Sequence, residues 1–294
     1  MKIVHSYWSK PSLRSGNDAA KYFGGWLMPK YYYYSWAYSC LQFREYYDEV
    51  ELITDQNGYE LLIKQLNLPY TNVQVVLDDL DAYSGKLWAI GKLHAYKLQQ
   101  KPFIHADGDV FVWKRFNENL LSAPLISQNE ELNFVQYQRG IEQLKTYFSH
   151  IPNVILEDIE QHEDTIAANA GIFGGNDVNF FHEFVDVAFE FLAKNKGVVD
   201  NPEIHSSAFA IIYEQYLFSC LARKKGVEVR YLLKGEETDY NYMSNLQNKH
   251  TEVKYAHIID VRKKLYMHVV ELENMLRNEY PSFYFQMNSR LKSI

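Results

Sequence analysis

The sequence predicts an α/β fold, in which helices flank a parallel sheet. Strand-like apolar runs alternate with helical patterns through the first 110 of its 294 residues, as in chains that build a parallel sheet from successive strand–helix units. Acidic residues follow several of these runs, where the strands of such sheets end and ligands bind. Hydrophobic residues make up 47% of the chain and charged residues 23%, as in folded globular proteins.

The strands of the first half follow from short apolar runs bounded by turn-forming residues. They are predicted at residues 3–8, 49–54, 73–77 and 103–106. Helical spacing of the apolar residues predicts the intervening helices at 31–47, 59–66 and 86–98. Each helix lies between two strands, which is the arrangement that a parallel sheet requires.

The second half is less regular. Strands are predicted at residues 133–137, 153–155, 172–175 and 227–233, and helices at 177–194, 207–224 and 265–277. Because no linker or repeat interrupts the pattern, we predict one domain over residues 1–265 with a C-terminal helical extension over 266–294.

Composition excludes several classes of partner. A net charge of −7 disfavours nucleic acid and anionic membrane surfaces. The longest apolar runs fall short of the ~18 residues of a membrane span. Cys40 and Cys220 lie in apolar stretches without a disulfide framework, so we expect a cytoplasmic protein. The 24 tyrosines, 17 phenylalanines and 5 tryptophans fit a large core or a carbohydrate surface equally well.

Aspartates cluster at the predicted strand ends. Asp107 and Asp109 flank Gly108 directly after the run at 103–106, and the other strand-end aspartates are Asp55, Asp78 and Asp79. A D-x-D pair offers two hard oxygen ligands to Mg²⁺ or Mn²⁺, while phosphate oxygens and water fill the remaining positions. The sequence therefore predicts a divalent cation here, although an ordinary acidic turn is the alternative.

Four separate stretches resemble one enzyme family. They are GKLHAYKLQQKPFIHADGDVFVWKRF at 91–116, NAGIFGG at 169–175, EQYLFS at 214–219 and YAHIIDVRKK at 255–264. In this order they are similar to the helix–strand–D-x-D segment, the Asn-Gly segment, the Asp-Gln helix and the His-x-x-Gly-x-x-Lys element of glycogenin-type glycosyltransferases. The sequence departs from the family at three points: Asp260 replaces a glycine, Glu214 replaces an aspartate, and Lys264-Leu265 replace Pro-Trp.

The resemblance implies a GT-A-like nucleotide-diphospho-sugar transferase fold, with a mixed, mostly parallel central sheet flanked by helices. It implies a retaining, hexosyltransferase-like enzyme that uses Mn²⁺ (or Mg²⁺) and a nucleotide-sugar donor, with UDP-sugar favoured. Asp107, Asp109 and His257 would bind the metal, and Asp107 also the donor ribose. Lys263 would bind the diphosphate.

The remaining assignments concern the rest of the donor. By resemblance, Lys92 would lie near the donor, and Asn169, Glu214 and Gln215 would be catalytic residues near its sugar. Asp55 is a candidate contact to the base or ribose because it follows the second strand. The acceptor, whether a glycan, a lipid-linked sugar or a protein, cannot be read from the sequence.

Other interpretations remain open. A haloacid-dehalogenase-like phosphohydrolase also carries a D-x-D motif, with the first aspartate as nucleophile, but on the first strand of its core rather than the fourth. A binding protein without turnover is a further alternative. For His257 a purely structural role is possible, and for Lys263 a place in a solvated basic run.

Overall fold

A computed structural model of the chain describes residues 1–12 and 23–291. It divides into two compact units. The terminal unit comprises residues 2–79, 106–116 and 235–294, and the middle unit comprises residues 80–105 and 117–234 together with Met1.

The described strands and helices are numbered along the chain. The strands are β1 (Lys2–Tyr7), β2 (Val50–Thr54), β3 (Asn72–Val75), β4 (Phe103–Ala106), β5 (Val110–Val112), β6 (Leu125–Ser127), β7 (Glu130–Leu132), β8 (Ile166–Ala168), β9 (Ile172–Gly175), β10 (Val229–Tyr231) and β11 (Tyr255–His257). The α-helices are α1 (Pro29–Tyr46), α2 (Gln56–Gly58), α3 (Ile90–Lys97), α4 (Glu118–Leu121), α5 (Val135–Tyr147), α6 (Asn153–Gln161), α7 (Val178–Lys194), α8 (Ser206–Ile211), α9 (Leu217–Lys225), α10 (Tyr240–Met243), α11 (Tyr266–Glu279) and α12 (Pro281–Leu291).

In the terminal unit, β1, β2 and β3 pair in parallel, in that spatial order. The central strand of the three, β2, is buried along its whole length. The short strands β5 and β11 form a separate antiparallel pair. A 3-10 turn over Asp260–Lys264 follows β11 and leads into the C-terminal helices.

The core of the terminal unit is built around α1. Pro29 begins this helix, where its fixed φ suits the first turn and its missing N–H costs nothing. Eleven residues of α1 are buried, and seven of them, including Trp36, share a core cluster with residues of α11 such as Leu272 and Leu276. The tyrosine-rich run of the sequence therefore forms a core helix rather than an exposed aromatic surface.

In the middle unit the strands follow the spatial order β10-β6-β9-β4. Strands β10 and β6 are parallel, whereas β6 and β9 are antiparallel. A Cβ at Gly174 would lie 2.1 Å from the carbonyl oxygen of Phe103, so only glycine lets β9 approach β4 this closely. Helix α7 begins at an Asp177 cap and packs Phe181 against Phe173 and Phe218.

The predicted α/β fold, with mostly parallel strands flanked by helices and with C-terminal helices, is confirmed. The four strands of the first half match β1 to β4, and the run at 172–175 is β9. The last three residues of the predicted C-terminal extension, 292–294, lie outside the described residues. Among the helices of the described ranges, none is long and apolar enough to cross a membrane.

Two predicted strands are wrong. Residues 133–137 lead into α5, and residues 153–155 are the first turn of α6. Short apolar runs do not distinguish a strand from a buried helix. The helical spacing of the apolar residues becomes visible only over a longer stretch of sequence. There Tyr137, Ile141 and Leu144 form the buried side of α5. The predicted helix at 86–98 is shorter in the structure and begins at Ile90.

Candidate active site

The two aspartates of the D-x-D motif occupy a tight turn between β4 and β5. The amide of Val110 donates to the carbonyl of Asp107 over 3.1 Å and closes this turn. Asp109 is only 9% exposed, while Asp107 is partly exposed. The turn therefore presents one nearly buried and one accessible carboxylate.

Strand pairing brings His257 to this turn, although it lies roughly 150 residues further along the chain. In the antiparallel pair of β5 and β11, His257 stands opposite Val110. The amide of Ile258 donates to the carbonyl of Asp109 over 3.1 Å and extends the pairing to the motif itself. His257 is buried, at 4% exposure, so its ring has a fixed position beside the aspartates.

The side chains of Asp107, Asp109 and His257 converge. One potential ligand atom from each residue lies within 4.8 Å of the other two. His257 Nε2 is 3.4 Å from Asp109 Oδ1, and Lys263 Nζ is 2.5 Å from Asp109 Oδ2. Burial alone would raise the pKa of Asp109, but Lys263 and His257 hold it well below its usual range. Asp109 is therefore ionised at neutral pH, as a metal ligand must be.

The three residues fit a divalent cation. Ligand bonds of ~2.0–2.4 Å to a common ion leave neighbouring ligand atoms ~3 Å apart and opposite ones below ~5 Å. The spacings of the three side chains fall in this range. Two carboxylates with one imidazole suit Mn²⁺ better than Ca²⁺, which takes oxygen ligands only.

Position 108 requires glycine because the Trp36 ring packs against it. A Cβ at this position would lie 2.5 Å from the Trp36 ring, and the neighbouring Ser35 hydroxyl donates to the Gly108 carbonyl over 2.7 Å. Helix α1 thus packs directly against the turn and fixes the direction of both aspartates.

Asp260 stands where the motif that the sequence resembles has glycine, and its backbone adopts a conformation typical of glycine. Its φ of +53° lies in the left-handed region, which glycine favours and which aspartate tolerates better than most residues. This bend starts the 3-10 turn that carries Lys263 to Asp109. The departure from the family sequence is therefore compatible with the lysine position.

Asp55 has a clear local role in the terminal unit. Its carboxylate accepts from the amide of Ser9 over 2.6 Å and from the amide of Gly58 over 2.7 Å, as the cap of α2. It is only 3% exposed. The nearby amide of Gln56 donates to Asp78. Both aspartates thus order the loop after β2, and a contact between Asp55 and a nucleotide stays a prediction.

In the middle unit, Lys92 and Glu214 are brought together. Lys92 Nζ lies 3.2 Å from Glu214 Oε1, and the Tyr96 hydroxyl donates to the same oxygen over 3.3 Å. Glu214 is fully buried, in a π-helical segment over Ile212–Tyr216. Such segments inside helices often mark functional sites. Lys92 and Glu214 act as one ion pair, and neither belongs to the solvated surface.

Asn169 and Gln215 are linked through two residues that the sequence did not indicate. Asn169 Nδ2 donates to Glu131 Oε1 over 2.8 Å, and the Tyr137 hydroxyl lies 2.5 Å from both Glu131 Oε2 and Gln215 Oε1. Glu131 is 8% exposed and Tyr137 is buried. Glu131 was missed because β7 was not predicted, and Tyr137 because its segment was predicted as a strand. No local pattern distinguishes Glu131 from its neighbour Glu130.

Comparison with family models shows which family the chain belongs to. A model of the DUF6734 family, described as a family of unknown function, matches residues 1–290. The chain belongs to this family. None of the curated proteins matches it in sequence.

Several solved structures show a distant likeness. An active-site mutant of LgtC has 10% identity and a TM-score of 0.44, with 93% of this chain and 95% of that chain covered. Mouse xyloside xylosyltransferase 1 has 12% identity and a TM-score of 0.40, with 87% and 96% covered. The bifunctional glycosyltransferase WbbM has 11% identity and a TM-score of 0.47, with 98% of this chain but 51% of that chain covered.

Proposed function

We propose that this chain is a metal-dependent glycosyltransferase that moves a sugar from a nucleotide-diphosphate donor, with a UDP-sugar favoured, to an acceptor with retention of configuration. The convergence of Asp107, Asp109 and His257 with Lys263 carries the proposal. Two carboxylates and an imidazole can bind a divalent ion, and an ammonium group beside them can bind the oxygens of a diphosphate. A structural ion pair alone would not need the third ligand.

The chemistry follows from the charge that develops on the leaving group. Breaking the bond between sugar and nucleotide leaves a diphosphate whose negative charge must be stabilised. A divalent ion held by Asp107, Asp109 and His257 would supply Lewis-acid stabilisation. Lys263 would bind the diphosphate as a compact point charge. The fixed ring of His257 and the turn at Gly108 would keep these groups in place throughout the reaction.

The other sequence predictions form part of the same proposal. Lys92 is assigned to the donor, and Asn169, Glu214 and Gln215 to catalysis at its sugar, as the family resemblance implies. Glu131 and Tyr137 would hold Asn169 and Gln215 in position through their hydrogen bonds. We also retain residues 1–265 as the nucleotide-sugar-binding domain, with 266–294 as its extension, in a cytoplasmic protein.

The proposal is tested by calorimetry with Mn²⁺ and UDP. We expect UDP to bind at least ~10-fold more tightly with saturating Mn²⁺ than without it, because metal and diphosphate bind together. The substitution Asp107→Asn should abolish this gain by removing the more accessible carboxylate. The matched substitution Asp48→Asn, at an exposed aspartate of the same unit, should leave it unchanged.

Equal UDP affinity with and without Mn²⁺ in the unsubstituted chain would refute the metal site. Turnover is measured separately, as slow hydrolysis of a panel of nucleotide sugars in the presence of Mn²⁺. Hydrolysis of at least one donor supports an enzyme. Synergistic binding with complete inertness across the panel would instead identify a binding protein.

A further inference from the structure

Lys263 stands out among the basic residues after β11. Its Nζ lies 2.5 Å from Asp109 Oδ2, and its side chain is only 16% exposed. Its neighbours point elsewhere: Arg262 donates to Asn241, and Lys264 is exposed. In the described structure the lysine thus bonds to a residue of the metal centre.

The carboxylates explain why a cation is held there. Carboxylate oxygens of Asp107 and Asp109 lie within 4.8 Å of each other, and two negative charges this close repel each other, the more so because Asp109 is nearly buried. Lys263 supplies one positive charge to the nearly buried member of the pair. A divalent ion would supply two positive charges to the same carboxylates.

The ammonium group and the ion would compete. An ion bound by Asp109 and His257 would lie within ~2.4 Å of an Asp109 oxygen, so an ammonium group still bonded to that carboxylate would be only a few ångströms from it. Like charges at that distance in a poorly hydrated site repel each other. Binding of the ion therefore favours release of the lysine, and the flexible lysine stem allows the ammonium group to move.

We propose that Lys263 is a counter-ion of Asp109 that weakens metal binding in the absence of nucleotide and transfers from Asp109 to the diphosphate when the donor binds. This inference rests on the proposed function. It makes metal and nucleotide binding mutually dependent, because the diphosphate gives the displaced ammonium group a new partner. Linkage requires each ligand to raise the affinity for the other by the same factor.

The test measures Mn²⁺ binding without turnover, by electron paramagnetic resonance of free Mn²⁺ and by calorimetry at one pH. In Lys263→Met, Mn²⁺ alone should bind at least ~10-fold more tightly than in the unsubstituted chain, because its competitor is gone. The factor by which UDP improves Mn²⁺ binding should fall at least ~10-fold, within the usual range of such couplings. In the matched control Lys264→Met both quantities should be unchanged.

Two further variants keep the inference testable if the methionine variant does not fold. Lys263→Gln removes the charge but keeps a polar group, and should also tighten Mn²⁺ binding. Lys263→Arg keeps the charge, and should bind Mn²⁺ alone as weakly as the unsubstituted chain. Unchanged or weaker Mn²⁺ binding in both charge-removing variants, with the coupling to UDP intact, would overturn the counter-ion role alone. Absence of any coupling in the unsubstituted chain would overturn the proposed function.

Discussion

At the scale of single residues, position 108 illustrates how a site depends on the helix beneath it. A glycine between the two aspartates leaves room for a ligand to approach the backbone. In the structure, the Trp36 ring already excludes a side chain there, before any ligand is considered. Stability and ligand approach thus require the same residue, and the two can be separated experimentally.

We predict that Gly108→Ala lowers the free energy of unfolding by ~1–3 kcal/mol, the usual cost of overpacking. The added Cβ would lie 2.5 Å from the Trp36 ring. The energetic cost of this clash exceeds the small stabilisation that comes from a less flexible unfolded chain. Urea denaturation without any nucleotide measures the effect. In a Trp36→Phe background the same substitution should cost at least ~1 kcal/mol less, because neighbouring substitutions couple. Strict additivity of the two substitutions would contradict the steric explanation.

At the scale of elements, hydrogen bonds between side chains tie α1 to α11. The Tyr38 hydroxyl donates to Glu279 Oε2 over 2.6 Å and accepts from Trp113 Nε1 over 3.0 Å. Gln42, one turn further along α1, donates to the same Glu279 oxygen. One carboxylate at the end of α11 thus accepts from two residues of α1, which fixes the end of α11 against α1.

We predict that Tyr38→Phe destabilises the protein by ~1.5–3 kcal/mol, the usual range for hydrogen bonds to a charged group. The substitution leaves both the Glu279 carboxylate and the Trp113 indole short of one partner. Tyr46→Phe, at a half-buried tyrosine of the same helix, serves as the matched control and should change stability by less than ~0.5 kcal/mol. Equal effects of the two substitutions in thermal or urea unfolding would show that Tyr38 contributes only through its ring.

At the scale of the whole molecule, buried ionisable groups determine how stability depends on pH. His5 is completely buried, and burial lowers its pKa from 6.5 to about 3. Burial also lowers the pKa of His268. The pKa of Asp109, Asp158 and Glu51 is lowered by their cationic partners and hydrogen bonds, in spite of burial. The histidines make stability depend on pH in the mildly acidic range, and the carboxylates do so below pH ~4.5.

We predict that stability falls as pH decreases from 6.5 to 5. In this range the unfolded chain binds a proton at His5 and the folded chain does not, so protonation favours unfolding, by up to ~1.4 kcal/mol per pH unit. His5→Gln, which stays neutral, should reduce this slope. Denaturation midpoints at several pH values measure the slope of stability against pH. An unchanged slope in His5→Gln would disprove the assignment.

The sequence by itself determined the elements whose signal is local. The alternation of apolar runs located β1 to β4, and the amphipathic pattern at 177–194 located α7. The D-x-D pair was selected by its residue types and its place after a strand, and His257 and Lys263 by their resemblance to a family motif. Local patterns suffice where one segment carries its own period or motif.

Only the tertiary structure decided what depends on distant segments. Strand β11 lies beside the D-x-D turn because it pairs with β5, and no local pattern encodes that pairing. Asp260 adopts a left-handed φ, and the turn that follows brings Lys263 to Asp109. The helical nature of α5, and with it the contact of Tyr137 to Glu131 and Gln215, likewise depends on packing that a five-residue window does not contain. Long-range pairing and burial set these features, because their energy comes from contacts between residues far apart in the chain.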